Sequence, residues 1–167
     1  DTKLSGSQNL VVKYQIGTDA YTTNYIDNWG YGHSNSNGEI ENQELTEREL
    51  NSLFTTQYTW NINSDFRLDV LVGNEIVHHH ETYNDSHGYG YNFEGWNNMS
   101  NIKTYTAASG YSKRRSVGFF GNIELSYSNM IYLTLTGRND KVSNMPRNNR
   151  SFFYPSASLG FVFTQIE

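Results

Sequence analysis

The sequence predicts an all-β chain, an antiparallel, up-and-down segment of about six strands from the wall of a transmembrane β-barrel. Three observations carry this expectation. Apolar and polar residues alternate with a period of two in six stretches, the connections between stretches are strictly short and long in turn, and the composition is aromatic-rich but aliphatic-poor. Aromatics make up 15% of 167 residues, 13 of them Tyr, while hydrophobic residues of all kinds reach only 36%. A barrel wall has this profile because one strand face is polar, the outer loops are long and polar, and Tyr and Trp suit the headgroup boundary.

The strands are expected near 9–20, 50–60, 65–82, 111–127, 130–139 and 152–164, forming one partial barrel domain over 1–167. In the first, Leu10, Val12, Tyr14 and Ile16 share a face, with Lys13, Gln15 and Asp19 opposite alongside Val11. In the second, Phe54, Tyr58 and Trp60 oppose Thr55, Gln57 and Thr59. The third sets Phe66, Leu68, Val70, Val72 and Ile76 against Arg67, Asp69 and Glu75. The fourth sets Val117, Phe119, Ile123 and Leu125 against Asn122, Glu124 and Ser126. In the fifth, Ile131, Leu133 and Leu135 oppose Tyr132, Thr134, Thr136 and Arg138. The sixth places Phe153, Ala157, Leu159, Phe161 and Phe163 opposite Tyr154, Ser156, Ser158 and Thr164.

Short turns are expected around Asn61–Asp65 and at Ser128 and Asn129. Long loops are expected at roughly Tyr21–Gly38, Tyr83–Gly110 and Asn139–Ser151. In a meander this alternation puts short turns at one end and long loops at the other, as in barrels with periplasmic turns and extracellular loops. Rings flank the turns: Tyr58 and Trp60 beside one, Tyr127 and Tyr132 beside the other. The stretch Glu39–Leu50 carries a helical signal, with Thr46 and Glu49 spaced as a capping box and Glu44 four before Arg48. Its apolar residues Ile40, Leu45, Leu50 and Leu53 form no helical stripe, so strand or loop is expected there. The alternation also suits a free-standing, secreted, carbohydrate-binding β-sandwich, whose apolar faces would meet each other instead of lipid.

The remaining composition excludes several classes. There is no cysteine, hence no disulfide framework or thiolate metal site. A net charge of −5 gives no basic field for nucleic acid. No apolar run is long enough for a membrane helix. Asp1 opens on a polar stretch without a charged-then-apolar leader, and the pattern stops at Glu167 straight after a strand, as an internal fragment would.

Several strings resemble the SusC/RagA family of TonB-dependent transporters. The tail over 131–164, IYLTLTGRNDKVSNMPRNNRSFFYPSASLGFVFT, is similar to a recurring pattern: a strand ending in an Arg-Asp pair, a polar loop, then aromatic-Pro-Ser entering the next strand. Those positions are Arg138, Asp140, Tyr154, Pro155 and Ser156. The preceding SVGFFGNIELSYSNMIYLTLTGR resembles the hairpin before it. LVVKYQIGTDAYTTNY resembles the strand bearing Gly17, Asp19 and Tyr21, and ELNSLFTTQYTW and LDVLVGNEI fit the hairpin between. The resemblance implies a full barrel of about 22 strands blocked by a plug that lies outside this chain. It also implies the Gram-negative outer membrane, import of oligosaccharides or peptides, a SusD-like surface lipoprotein as lid, and the TonB complex engaged through regions outside this chain.

The expected sites follow. Lys13, Asp19, Arg67, Asp69, Glu75, Glu124, Arg138 and Asp140 are expected to face the lumen, mostly as a charge-balanced lining toward plug or water. Among the loop aromatics, Trp29, Tyr31, Tyr89, Tyr91 and Trp96 are candidates for contact with solute or lid, set against simple loop packing; Tyr25, Tyr83 and Phe93 belong to the same set. His78, His79 and His80, with His87 nearby, raise a metal question. His78 and His80 would share a strand face, but without cysteine support an exposed polar strand end is expected, and no metal. No nucleophile elbow, paired-carboxylate frame or phosphate loop is present, so neither catalysis nor a cofactor is expected.

Overall fold

The computed structural model describes residues 2–33 and 37–165. Residues 34–36, inside the expected loop 21–38, and the expected chain ends at Asp1 and Glu167 lie outside the described residues. Seven strands form a single sheet in sequence order: β1 (Thr2–Ser5), β2 (Gln8–Trp29), β3 (Glu39–Asn61), β4 (Phe66–Tyr91), β5 (Ile102–Tyr127), β6 (Ile131–Val142) and β7 (Ser151–Phe161). The short β1 pairs antiparallel with β2 and adds a strand to the six expected. The sheet is an open, antiparallel meander.

The strands are longer than expected. β2 continues nine residues past 20, β3 begins at Glu39 instead of near 50, β4 runs on to Tyr91, and β5 starts at Ile102 instead of near 111. Hydrophobic alternation stops where neither face needs lipid or a core, yet the backbone ladder continues because each strand still has a neighbour. The helical signal in Glu39–Leu50 gives way to strand for the same reason. At the other end of the chain, Phe163 belongs to a 3₁₀ turn, Phe163–Gln165, beyond β7.

Two units divide the chain. The first comprises 1–18, 50–78 and 114–167, and holds both short turns. At 62–65 the Asn63 side chain accepts from the Asp65 and Phe66 amides at 2.9 and 2.8 Å. At 128–130, Ser128 (φ 50°) and Asn129 (φ 55°) supply the paired left-handed residues of a type I′ turn. The Ser128 amide also donates to the Asp65 carbonyl at 2.6 Å, tying the turns together.

Register in this unit separates the faces cleanly. Leu125, Leu133 and Leu159 lie side by side across β5, β6 and β7, as do Ile123, Leu135 and Ala157. The opposite face aligns Glu124, Thr134 and Ser158, then Asn122, Thr136 and Ser156. The apolar rows stand open: Leu159 is 74% exposed and Ile16 64%. Only Ile40 and Tyr91 are buried among the described hydrophobic residues. Total accessible area is 11817 Å² for 19.2 kDa, against about 8,400 Å² for a compact monomer of that mass. A sandwich would bury these rows against a second sheet, and the described residues form only one.

The second unit comprises 19–49 and 79–113. Its small core is Tyr91, 1% exposed, whose hydroxyl donates to the Glu39 carbonyl at 3.1 Å. Gly38 (φ 88°) lies under the Tyr91 ring, and a Cβ there would fall 2.5 Å from ring carbons and 2.6 Å from the Trp29 carbonyl oxygen. The loop 92–101 winds around buried Asn101, whose amide donates to the Phe93 and Trp96 carbonyls at 2.8 and 2.9 Å.

Candidate functional site

Alternation along β4 sends Arg67, Asp69 and Glu75 to the polar face, and cross-strand register brings Glu124, Arg138 and Asp140 to the same side. Arg67 donates from Nε to Asp69 at 2.7 Å, and Asp69 also accepts from Thr59 on β3 at 2.5 Å. The Arg138 guanidinium donates to Asp140 at 2.9 Å and to Glu75 at 2.7 Å. Glu124 accepts from Thr134 at 3.4 Å. Six of the eight expected charges therefore meet polar partners on one face. Lys13 is exposed on β2, and Asp19 borders a small cavity in the second unit.

That cavity, about 230 Å³, is lined by Asp19, Tyr21, Glu47, Arg48, Glu49 and His79. His79 lies between two carboxylates, with Nε2 3.9 Å from Glu47 and Nδ1 3.7 Å from Glu49. Glu81 converges on the same point. The Tyr21 phenol is held above its ordinary value, first by its hydrogen bond to Glu47, then by burial and the nearby Glu47, Glu81 and Glu49 charges. His78 and His80 share a strand face, as expected, and His80 packs edge-on against Tyr111 at 6.3 Å; the carboxylates lie with His79 on the other face. Sequence reading missed Glu47 and Glu49 because β3 was not expected to begin before about residue 50, and without them Glu81, inside the expected third strand, had no partners to converge with.

The candidate aromatics separate. Tyr31 and Trp96 lie in loops and are exposed, and Trp96 stacks on Phe93 at 5.9 Å. Trp29 closes β2 and is half-buried. Tyr89 lies on β4, exposed, stacked on His87 at 4.2 Å, and His87 Nε2 is 3.4 Å from Glu39. Tyr91 corrects the expectation outright: it is a core residue of the second unit, closed off by Gly38 and its hydroxyl already bonded. Three of the five are strand residues and not loop residues, because β2 and β4 extend through the expected loops.

On the side of β2, β3 and β4 that bears His79, the second unit carries Asp19 and Asp27, Glu39, Glu41, Glu47 and Glu49, and Glu81 and Asp85, with no Lys or Arg among those alternate positions. This face is a concentrated negative field with tyrosines between the carboxylates.

No protein-family model matches the chain. It is 26% identical over 132 residues to the TonB-dependent receptor P26 of Formosa agariphila, a match covering 77% of this chain and 13% of that protein. Its fold superposes on a chain of the RagAB peptide transporter with a TM-score of 0.83 at 20% identity, covering 91% of this chain and 18% of the other. The RagAB peptide importer in its closed-closed state gives 0.85 at 19% identity, covering 99% and 19%. The chain thus spans less than a fifth of the length of these relatives, and each is a receptor or a transporter. Both the sequence match and the fold agree with the resemblance of the strings over 131–164 and 10–25 to the SusC/RagA family of TonB-dependent transporters.

Proposed function

We propose that this chain is part of the lipid-facing wall of an outer-membrane importer of oligosaccharides or peptides, in a barrel of about 22 strands. The observation that carries the reading is the two-sidedness of the first unit. Whole rows of Leu, Ile and Phe stand open on one face, while charges and hydroxyls are paired on the other. Lipid is the medium that makes such a single sheet stable, because it covers the apolar rows without a second protein layer. The paired face lines the lumen, and its ion pairs keep the interior wet and near neutral.

Strand lengths support the same picture. A spanning strand needs about 9–11 residues. β2, β3, β4 and β5 run 22 to 26 residues, so each extends well past a bilayer. The excess falls in the second unit, whose polar ladders suit the extracellular side, where Trp29, Tyr31, Tyr89 and Trp96 would meet solute or a SusD-like lid lipoprotein. Import would be driven by the TonB complex through a plug outside this chain.

Cysteines placed singly at Leu68 and Leu133 of the intact receptor should react with a bilayer-dissolved reagent, and one at Thr134 with a water-soluble one. Silence of Leu68 and Leu133 toward the lipid reagent, in folded protein, rules out the barrel wall.

A further inference from the structure

The Glu47, His79, Glu81 group is a different kind of feature from the lining ion pairs, because three potential ligand atoms from two adjacent strands converge. One imidazole nitrogen and two carboxylate oxygens all lie within 4.8 Å of one another. Glu47 sits on β3 and His79 and Glu81 on β4, at alternate positions that send all three side chains to one face. Ligands about 2.0–2.2 Å from a tetrahedral ion are about 3.3–3.6 Å apart, so small rotations of half-buried side chains close the set.

We propose that Glu47, His79 and Glu81 bind a divalent transition-metal ion of the Zn²⁺ type. The nitrogen donor separates this set from a Ca²⁺ or Mg²⁺ site, which is built of oxygen alone. Two outer contacts complete the pattern that metal-ligating histidines show. Glu49 stands 3.7 Å from Nδ1 and Glu47 3.9 Å from Nε2, so a small rotation brings Glu49 into hydrogen-bond reach of Nδ1, the contact that would leave Nε2 to ligate. Tyr21 hydrogen-bonds Glu47 and orients that carboxylate. The ring thus has a carboxylate beside each of its nitrogens. A simple protonated ion pair would account for Glu47 and Glu49 but not for the convergence of Glu81. The negative field of the surrounding face raises the local concentration of cations. Three protein ligands leave the remaining coordination position to water or to a donor group on a passing solute.

The test is zinc titration of the intact receptor, purified in detergent without a polyhistidine tag, in competition with a chromogenic chelator. Folding is checked first by heat-dependent migration on a gel. A zinc ion should bind that is lost in His79→Ala and in Glu47→Gln, and held about 10- to 100-fold more weakly in Glu49→Gln. His78→Ala, on the opposite face, should bind as the parent does, and an excess of Ca²⁺ should not displace the zinc. If His79→Ala fails to fold, His79→Cys replaces it and should still bind zinc, since a thiolate is an equally good ligand. Zinc binding unchanged by His79→Ala, displacement by Ca²⁺, loss of zinc in folded His79→Cys or absence of any bound zinc overturns the proposal. The readout is binding and not import, so this site and the transport reading stand or fall separately.

Discussion

Arg138 on β6 reaches across β5 to Glu75 on β4, Nη2 to Oε2 2.7 Å, passing over the ring of Phe120 at 5.7 Å from its centroid. The outer end of the ring in turn sits over Gly73, where an added Cβ would collide with it. Three strands are joined on the polar face by one cation, one ring and one missing side chain. The resemblance to the Arg-Asp strand end placed Arg138 and Asp140 together; the partner two strands away comes from register.

Gly73→Val should lift Phe120 from the sheet and break the support under the guanidinium. Overpacking of this kind costs about 1–3 kcal/mol. Denaturant unfolding of the folded receptor would measure it, and an unchanged midpoint would show the ring to be loosely held.

The bridge itself should be weak. Arg138 and Glu75 are 42% and 37% exposed, so water screens them, and a double-mutant cycle with Arg138→Met and Glu75→Gln should give about 0.2–1 kcal/mol. A coupling of several kcal/mol would mean that the polar face is much drier than an open lumen.

Substitution by arginine should distinguish the faces. Leu133→Arg, in the middle of the Leu125, Leu133, Leu159 row, should cost about 2–4 kcal/mol on folding into bilayers. Thr134→Arg, one residue on and facing the other way, should stay within about 0.5 kcal/mol. Equal costs at the two positions would contradict the assignment of lipid and lumen.

Gly38→Ala should destabilise the second unit by about 1–3 kcal/mol, since the position is left-handed and its Cβ would press on Tyr91 and the Trp29 carbonyl. Hydrogen exchange should quicken at the Gly90 and Tyr91 amides, which donate to Gly38 and Asn37, and not at Ile123 or Leu133. Uniform quickening would mean that the two units open as one.

Burial raises the Tyr91 phenol above its ordinary value. A phenol raised in the fold favours its neutral form there, so its contribution is intact below about pH 10 and is lost as pH climbs through the folded value. Ultraviolet titration should show this tyrosine ionising late, and Tyr91→Phe should remove the late step.

The face-by-face character of the strands in the first unit was readable from the residues alone. A period of two is geometric, and only lipid or a core makes a strand repeat Leu, Val and Ile on one side, so the rows through Val70, Ile123, Leu133 and Leu159 were legible without coordinates. The turns at Asn63 and at Ser128 and Asn129 were legible for an equally local reason, their side chains and left-handed residues satisfying the backbone within a few positions. What tertiary structure alone decided lies where both faces are polar. There the ladder is held by backbone hydrogen bonds to neighbouring strands, which leave no hydrophobic period to read. Glu39–Leu50 therefore looked partly helical, and Tyr91 looked like a loop residue until Gly38 was seen beneath it. Glu47, His79 and Glu81 meet because β3 and β4 are in register, and register between distant segments is a property of the sheet and not of either strand.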